Sequence, residues 1–94
     1  MTHASRIAVE IVVDDVEGAV MAEQEGADRI ELCAALSEGG VTPSFGLVRT
    51  VLGRVRRIGV QVMVRPRGGD FEVEAQDLEV MLADIAAFRS LQPT

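Results

Sequence analysis

Three short apolar segments alternate along the chain with segments of helical periodicity, and this alternation limits the fold more than any other feature. The apolar segments are residues 7–13, 29–34 and 60–64. Nearly continuous apolar runs of this length are typical of parallel strands that are covered on both faces. A strand–helix alternation predicts one parallel sheet with right-handed crossovers. The predicted fold class is therefore α/β, with three consecutive parallel β/α units.

Boundary signals for the helices fall between the predicted strands. Asp14 followed by Glu17 has the spacing of a capping box and predicts a first helix over residues 16–25. Thr42 as N-cap and Pro43 in the first helical position predict the start of a second helix. A third helix is predicted by an apolar stripe at helical spacing. The stripe consists of Leu78, Met81, Leu82, Ile85 and Phe88.

Length and charge exclude several classes of protein. The 94 residues are enough for one small domain over 1–94, and 48% of them are hydrophobic, which argues against disorder. The net charge of −6 disfavours nucleic acid and anionic membranes as partners. No apolar run is long enough to span a bilayer. A single cysteine cannot form an internal disulfide, so we expect a reduced, cytoplasmic protein.

Charged side chains share one face of the predicted sheet. Because side chains alternate along a strand, Glu10 lies on one face of the first strand, and Glu31 and Cys33 share a face of the second. Arg65 and Arg67 continue the corresponding face beyond the third strand. Two interpretations remain open: a network of ion pairs that sets strand register, or a ligand site at the carboxyl ends of the strands.

Two long motifs carry a family resemblance. They read DRIELCAALSEGGVTPSFG from Asp28 and VRPRGGDF from Val64. Together they resemble the CutC family of copper-homeostasis proteins, over about residues 9–85. The resemblance implies a partial TIM-type barrel, of which this chain holds the N-terminal portion. It also implies a set of site residues. The implied metal ligands are Cys33, Glu10 and Glu31, and the implied ligand-binding residues are Arg65, Arg67 and Asp70.

The chain departs from the family pattern at two places. Val12 stands where many family members have a cysteine, so Cys33 lacks a second thiolate in this position. The other histidine or cysteine available to a soft metal is His3, in the N-terminal tail. Glu74-Ala75 stands where the family often has a Ser-Asp pair, which predicts that the third helix loses its N-terminal cap.

Three functions follow as expectations. By resemblance, the chain acts in copper homeostasis by binding or handling copper. Alternatively, it is an enzyme-like barrel in which Arg65 and Arg67 bind a small anionic metabolite, a phosphate or carboxylate, and Glu10 or Glu31 serves as acid or base. A third interpretation is a truncated fragment with no activity of its own. No complete catalytic constellation is visible, so enzymatic activity is left open. Open sheet edges predict self-association into a homo-oligomer.

Overall fold

The strands and helices alternate as the sequence predicts. The computed structural model describes residues 6–92, and the prediction of a single domain over 1–94 reaches beyond that range and stays a prediction. In chain order the elements are β1 (Glu10–Val13), α1 (Val16–Gln24), β2 (Arg29–Leu32), a 3-10 turn (Leu36–Glu38), α2 (Phe45–Arg54), β3 (Gly59–Val62) and α3 (Ala75–Arg89).

The strands form one parallel sheet in the order β1–β2–β3. Ile11, Ile30 and Val60 stand side by side in this register. Aligned residues of parallel strands point to the same side, so these side chains define one apolar face, and that face packs on α1 and α2. Ile30 and Val51 of α2 are completely buried there. The prediction of three parallel β/α units is confirmed.

Each strand is shorter than its apolar segment. Each strand has four residues, because only these residues form the regular hydrogen-bond ladder with a neighbouring strand. Hydrogen bonds nevertheless continue beyond the carboxyl ends of β2 and β3. Ala34 forms an isolated antiparallel bridge with Val41, and the Met63 N–H donates to the Leu32 carbonyl at 3.0 Å. The bridge closes the loop that follows β2, and the Met63 bond holds the carboxyl ends of β2 and β3 together.

Two of the predicted N-caps are wrong by one or two residues, although α1 begins at Val16 as predicted. Asp15, rather than Asp14, caps α1 by accepting from the Gly18 N–H at 2.6 Å. Ser44 caps α2, with its hydroxyl accepting from the Leu47 N–H at 3.1 Å. The Thr42 hydroxyl instead accepts from the N–H of Arg65, beyond the end of β3, and the buried Pro43 precedes the helix. In each case a polar residue one or two positions later takes the N-cap place and bonds the N–H three residues beyond it.

The prediction that the third helix lacks an N-terminal cap is wrong. The Asp77 carboxylate accepts from the Glu74 N–H at 3.1 Å, which is the returning bond of a capping box. The apolar stripe of α3 lies on a helix as predicted, but much of it is uncovered: Leu78 is 49% exposed and Leu82 is 58% exposed. Phe88 stacks on Phe45 of α2 with ring centroids 6.4 Å apart. Across residues 6–92, no helix has both the length and the apolar character needed to cross a membrane.

Candidate functional site

The two strand carboxylates lie at different levels of the same sheet face. Glu10 begins β1, and its carboxylate accepts from the Arg29 Nε–H at 2.7 Å across the strand pair. Glu31 lies two residues further along β2, beside Val12 and Gln61 in the register. The predicted alternation is therefore present. The ion pair of Glu10 is with Arg29, however, a partner that the sequence reasoning did not consider.

Glu10 lies far from the arginines of the third unit. Glu10 is aligned with Arg29 of β2, and Arg29 is aligned with Gly59 of β3. Arg65 follows Gly59 by six positions in the sequence, which is at most roughly 20 Å of fully extended chain at about 3.3 Å per residue. Sites in this architecture form at the carboxyl ends of the strands, and Glu10 is at the amino end. The structure thus separates Glu10 from Arg65 and Arg67.

Cys33 lies at the carboxyl end of β2 and is completely buried. Its N–H donates to the Val13 carbonyl at 3.1 Å, and its thiol lies 3.7 Å from the same oxygen. Burial raises the pKa of the Cys33 thiol, and the nearby Asp14 and Glu31 carboxylates raise it further. The thiol is therefore protonated at neutral pH, so a metal ion that binds the sulfur must displace a proton.

A second sulfur lies close to that of Cys33, across Gly40. A Cβ placed on Gly40 would be 3.0 Å from Met63 Sδ and 3.6 Å from Cys33 Sγ. The distance between Met63 Sδ and Cys33 Sγ is therefore no greater than the sum of these two distances. Gly40 is buried and has a φ of +92°, which a glycine adopts without strain. This backbone is packed directly against a thiol and a thioether.

Sequence reasoning missed Met63 as a candidate ligand. Alternation placed it on the same face as Gln61 and Arg65, but a methionine in a strand is more often a core residue. The signal that could have found it is its place in the strand register. Leu32 and Val62 are partners across β2 and β3, and Cys33 and Met63 are the residues that directly follow them. The sulfurs consequently extend from neighbouring strands at one level.

The Arg65 guanidinium is bonded to backbone carbonyls of two loops. Its Nη1 donates to the carbonyls of Glu38 and Gly40, both at 2.8 Å, and its Nη2 donates to that of Gly69 at 2.9 Å. Its carbon Cζ lies 4.8 Å from the centroid of the Phe71 ring. The Arg65 side chain therefore neutralises neither Glu10 nor Glu31, the role that one interpretation of the sequence assigned to it.

Arg67 and Asp70 come together on the loop between β3 and α3. Arg67 Nη1 lies 3.3 Å from Asp70 Oδ1, and Arg67 Nη2 lies 3.3 Å from Asp77 Oδ2 and donates to the Glu72 carbonyl at 2.9 Å. The Asp77 carboxylate, followed by that of Asp70, raises the pKa of Arg67. Most donors of Arg65 and Arg67 thus already have acceptors within the chain.

The implied metal ligands do not form one cluster. Among residues 6–92, no group of three or more His, Cys, Asp and Glu side chains is placed to hold a metal ion. Cys33 and Glu31 share a face and a strand, whereas Glu10 is bonded to Arg29 at the other end. His3 lies outside the described residues.

The family follows from comparison with known proteins. The model of the CutC family matches residues 7–93. The chain belongs to the CutC family. The copper homeostasis protein cutC homolog of Homo sapiens is 56% identical over 82 residues, which are 87% of this chain and 30% of that protein. A family protein CutC of Mesorhizobium japonicum is 51% identical over 83 residues, which are 88% of this chain and 32% of that protein.

The fold of a solved CutC structure agrees with this assignment. A CutC protein from Streptococcus agalactiae superposes with a TM-score of 0.85 at 31% identity, over 93% of this chain and 42% of that one. The chain spans about a third of the length of the curated CutC relatives, 30% and 32% of the two above. The implied membership and the partial barrel are both confirmed, and copper homeostasis is the role that the human relative's name carries.

Proposed function

We propose that this CutC chain contributes to copper homeostasis by binding copper(I) between the Cys33 thiolate and the Met63 thioether. The supporting observation is that both sulfurs lie against Gly40 at the carboxyl ends of neighbouring strands. Soft thiolate and thioether ligands favour copper(I), whereas carboxylates favour harder ions. Copper here is cargo, and the proposal assigns the chain no reaction.

The donor chemistry fits copper(I) better than the ligand set implied by the family resemblance. A thioether needs no deprotonation, so only the Cys33 proton is displaced on binding. Met63 also supplies the second soft donor that Val12 cannot provide. Copper(I) and an accessible thiol both persist in a reducing compartment, which supports the cytoplasm as the proposed location.

The anion-binding alternative has less support. An anion site at Arg65, Arg67 and Asp70 needs free N–H donors, and the guanidinium groups already donate to carbonyls and carboxylates. Arg65 Nε is without a partner in the described part of the chain, and it is buried. A single buried donor is a poor match for the paired donors with which arginine holds a phosphate or carboxylate.

Anaerobic copper(I) titration tests the proposal. Competition with a coloured copper(I) chelator measures the affinity of the wild type and of Cys33→Ala, Met63→Leu and Met21→Leu. Met21 is the matched control because it is a methionine on α1, 56% exposed, remote from Gly40 in the sequence. We expect Cys33→Ala to abolish competition and Met63→Leu to weaken binding at least about tenfold, or about 1.4 kcal/mol.

Two results would contradict the proposal. One is a wild type that does not compete with the chelator for copper(I). The other is a Met63→Leu variant that binds as tightly as Met21→Leu, which would remove the thioether from the site.

A further inference from the structure

We propose that Arg65 is a positioning residue that clamps a loop over Cys33, and that release of this clamp controls access to the thiol. The loop, called here the cover loop, comprises residues 35–41 between β2 and α2. The relevance of the clamp to copper depends on the proposed function. The clamp itself is a property of the metal-free chain and can be tested without metal.

The cover loop closes the space in front of the thiol. Cys33 is completely buried although residues 35–39 are exposed, and Gly40 is the buried residue that meets both sulfurs. In the proposed opening, a reagent or metal ion reaches the Cys33 sulfur by displacing Gly40, whose added Cβ would lie 3.6 Å from that sulfur. Gly39 and Gly40 have φ values of +86° and +92°, so adjacent glycines allow the backbone to change conformation at the point of contact.

The Arg65 guanidinium is the group that joins the cover loop to the opposite loop. Two of its bonds go to the Glu38 and Gly40 carbonyls of the cover loop, and a third goes to Gly69 after β3. Bonds from a charged donor are stronger than those between neutral groups. Because one planar group makes all three, loss of its geometry frees both carbonyls of the cover loop at once.

The far end of the cover loop is anchored by a different part of the same residue. The Thr42 N–H donates to the Arg65 carbonyl at 2.9 Å, and the Arg65 N–H donates to Thr42 Oγ1 at 2.8 Å. These main-chain bonds survive a change of the Arg65 side chain. The Ala34–Val41 bridge also stays in place, so opening at Gly39 and Gly40 breaks only the short bonds inside the loop, such as that from the Gly40 N–H to the Ala35 carbonyl at 3.1 Å. Such a change is a local opening and not unfolding.

The closed clamp is incompletely satisfied. Arg65 Nε is buried without an acceptor among the described residues. Phe71, which faces the guanidinium, is 85% exposed and so provides little shielding from water. An unpaired buried donor opposes closure, and the carbonyl bonds favour it. Because these two contributions oppose each other, the free energy required to open the cover loop is reduced.

Arg67 is the matched control for Arg65. It lies two positions away, carries the same side chain and makes at least as many side-chain hydrogen bonds, but its acceptors lie after β3 and at the start of α3. These bonds do not reach the cover loop. A change at Arg67 perturbs the same region without releasing Glu38 or Gly40.

The test is the rate at which iodoacetamide alkylates Cys33, the only cysteine, in the metal-free protein. A lysine keeps the charge but lacks the planar fork that reaches several carbonyls. We expect Arg65→Lys to react about tenfold faster than the wild type, since several charged hydrogen bonds are lost. We expect Arg67→Lys to react within about twofold of the wild type, since its bonds do not hold the loop.

A milder variant guards against loss of the fold. Phe71 is largely exposed, so Phe71→Leu removes the ring under the guanidinium without opening the core. We expect a rate increase of about two- to fivefold, the size of an exposed cation–π contact. Low concentrations of urea separate the mechanisms, because local opening responds weakly to denaturant and global unfolding responds steeply.

The clamp is refuted if Arg65→Lys reacts at the wild-type rate, or if Arg67→Lys accelerates alkylation equally. It is also refuted if the faster reaction of both Arg65→Lys and Phe71→Leu has the steep urea dependence of global unfolding. Copper(I) uptake measured on the same variants distinguishes the two proposals. If Arg65→Lys is alkylated faster but no protein binds copper(I), the clamp is retained and the copper site is rejected. If copper(I) binds but Arg65→Lys is alkylated and takes up copper(I) at the wild-type rates, the clamp alone is rejected.

Discussion

Gly40 shows how a single residue links the backbone to the sulfurs. Its positive φ is unfavourable for any residue with a side chain, and an added methyl group would meet Met63 Sδ at 3.0 Å. The positive φ belongs to the tight turn of the cover loop, whereas the short distance comes from contact between that loop and Met63, directly after β3. Pairs of glycines in a loop are common, so the sequence indicated a turn but not what the second glycine touches.

Substitution of Gly40 tests this contact. We expect Gly40→Ala to destabilise the protein by about 1–3 kcal/mol, because alanine is strained at this φ and its Cβ crowds Met63. Urea denaturation measures the change. Gly53→Ala is the control: Gly53 lies in α2 with no atom within 4 Å of an added Cβ, so we expect stabilisation of up to about 1 kcal/mol. Equal effects of the two substitutions would contradict the assigned role of Gly40.

The end of α1 is joined to the start of β3 by one carboxylate. Glu23 Oε2 accepts from the N–H groups of Arg56, Arg57 and Ile58 at 2.9, 2.6 and 3.0 Å. These backbone bonds, the Arg57 bond first, lower the pKa of Glu23 from 4.5 to about 2. An acidic residue near the C-terminus of a helix is unfavourable for the helix dipole, so tertiary bonding decides this position.

Acid should release this connection between the elements. The folded pKa of Glu23 is below the unfolded value, so its contribution to stability is complete above pH 4.5 and is lost as the pH falls towards 2. We expect Glu23→Gln to be less stable than the wild type at pH 7, with the difference disappearing as the pH decreases through that range. Urea denaturation from pH 7 to pH 2.5 measures it.

Glu25→Gln provides the matched control for this element. It removes an exposed acidic charge at the same helix end without affecting the three bonds of Glu23. A stability difference between Glu23→Gln and the wild type that does not change with pH would show that the Glu23 carboxylate does not make these bonds in solution.

The molecule leaves apolar side chains uncovered beside the edge strand β1 and on helix α3. Ile7 is 82% exposed and Val9 46% exposed beside β1, and Leu82 of α3 is 58% exposed. Three strands cannot close a barrel that requires eight. Self-association was expected from the sequence, and these exposed residues support it as a proposal. The interpretation of the chain as a fragment with no activity of its own stays a prediction.

Sedimentation velocity over a range of protein concentrations tests the association. We expect the sedimentation coefficient to increase with concentration, and Val9→Lys to reduce the increase because a charge beside an open strand opposes edge pairing. Leu36→Lys is the control, since Leu36 is 45% exposed in the 3-10 turn and away from either edge. A wild type that remains monomeric at every concentration would refute the proposal.

The order of the elements and the face of each strand could be read from the sequence, because period-2 and period-3.6 patterns are local properties of the chain. The same patterns placed Glu31, Cys33 and Arg65 on one face. Two predicted caps, at Asp14 and Thr42, were wrong because each helix start has more than one polar residue that can serve as the N-cap. Only the final packing selects Asp15 and Ser44.

The sequence alone determined the parallel α/β architecture, the polar face of the sheet and the family. Tertiary structure decided which residues on that face meet. It paired Glu10 with Arg29, turned the Arg65 guanidinium to the carbonyls of two loops, and brought Met63 to the buried Cys33 thiol. Alternation determines the side to which a residue points, but strand register and loop closure determine its neighbours, and these depend on contacts between residues distant in the chain.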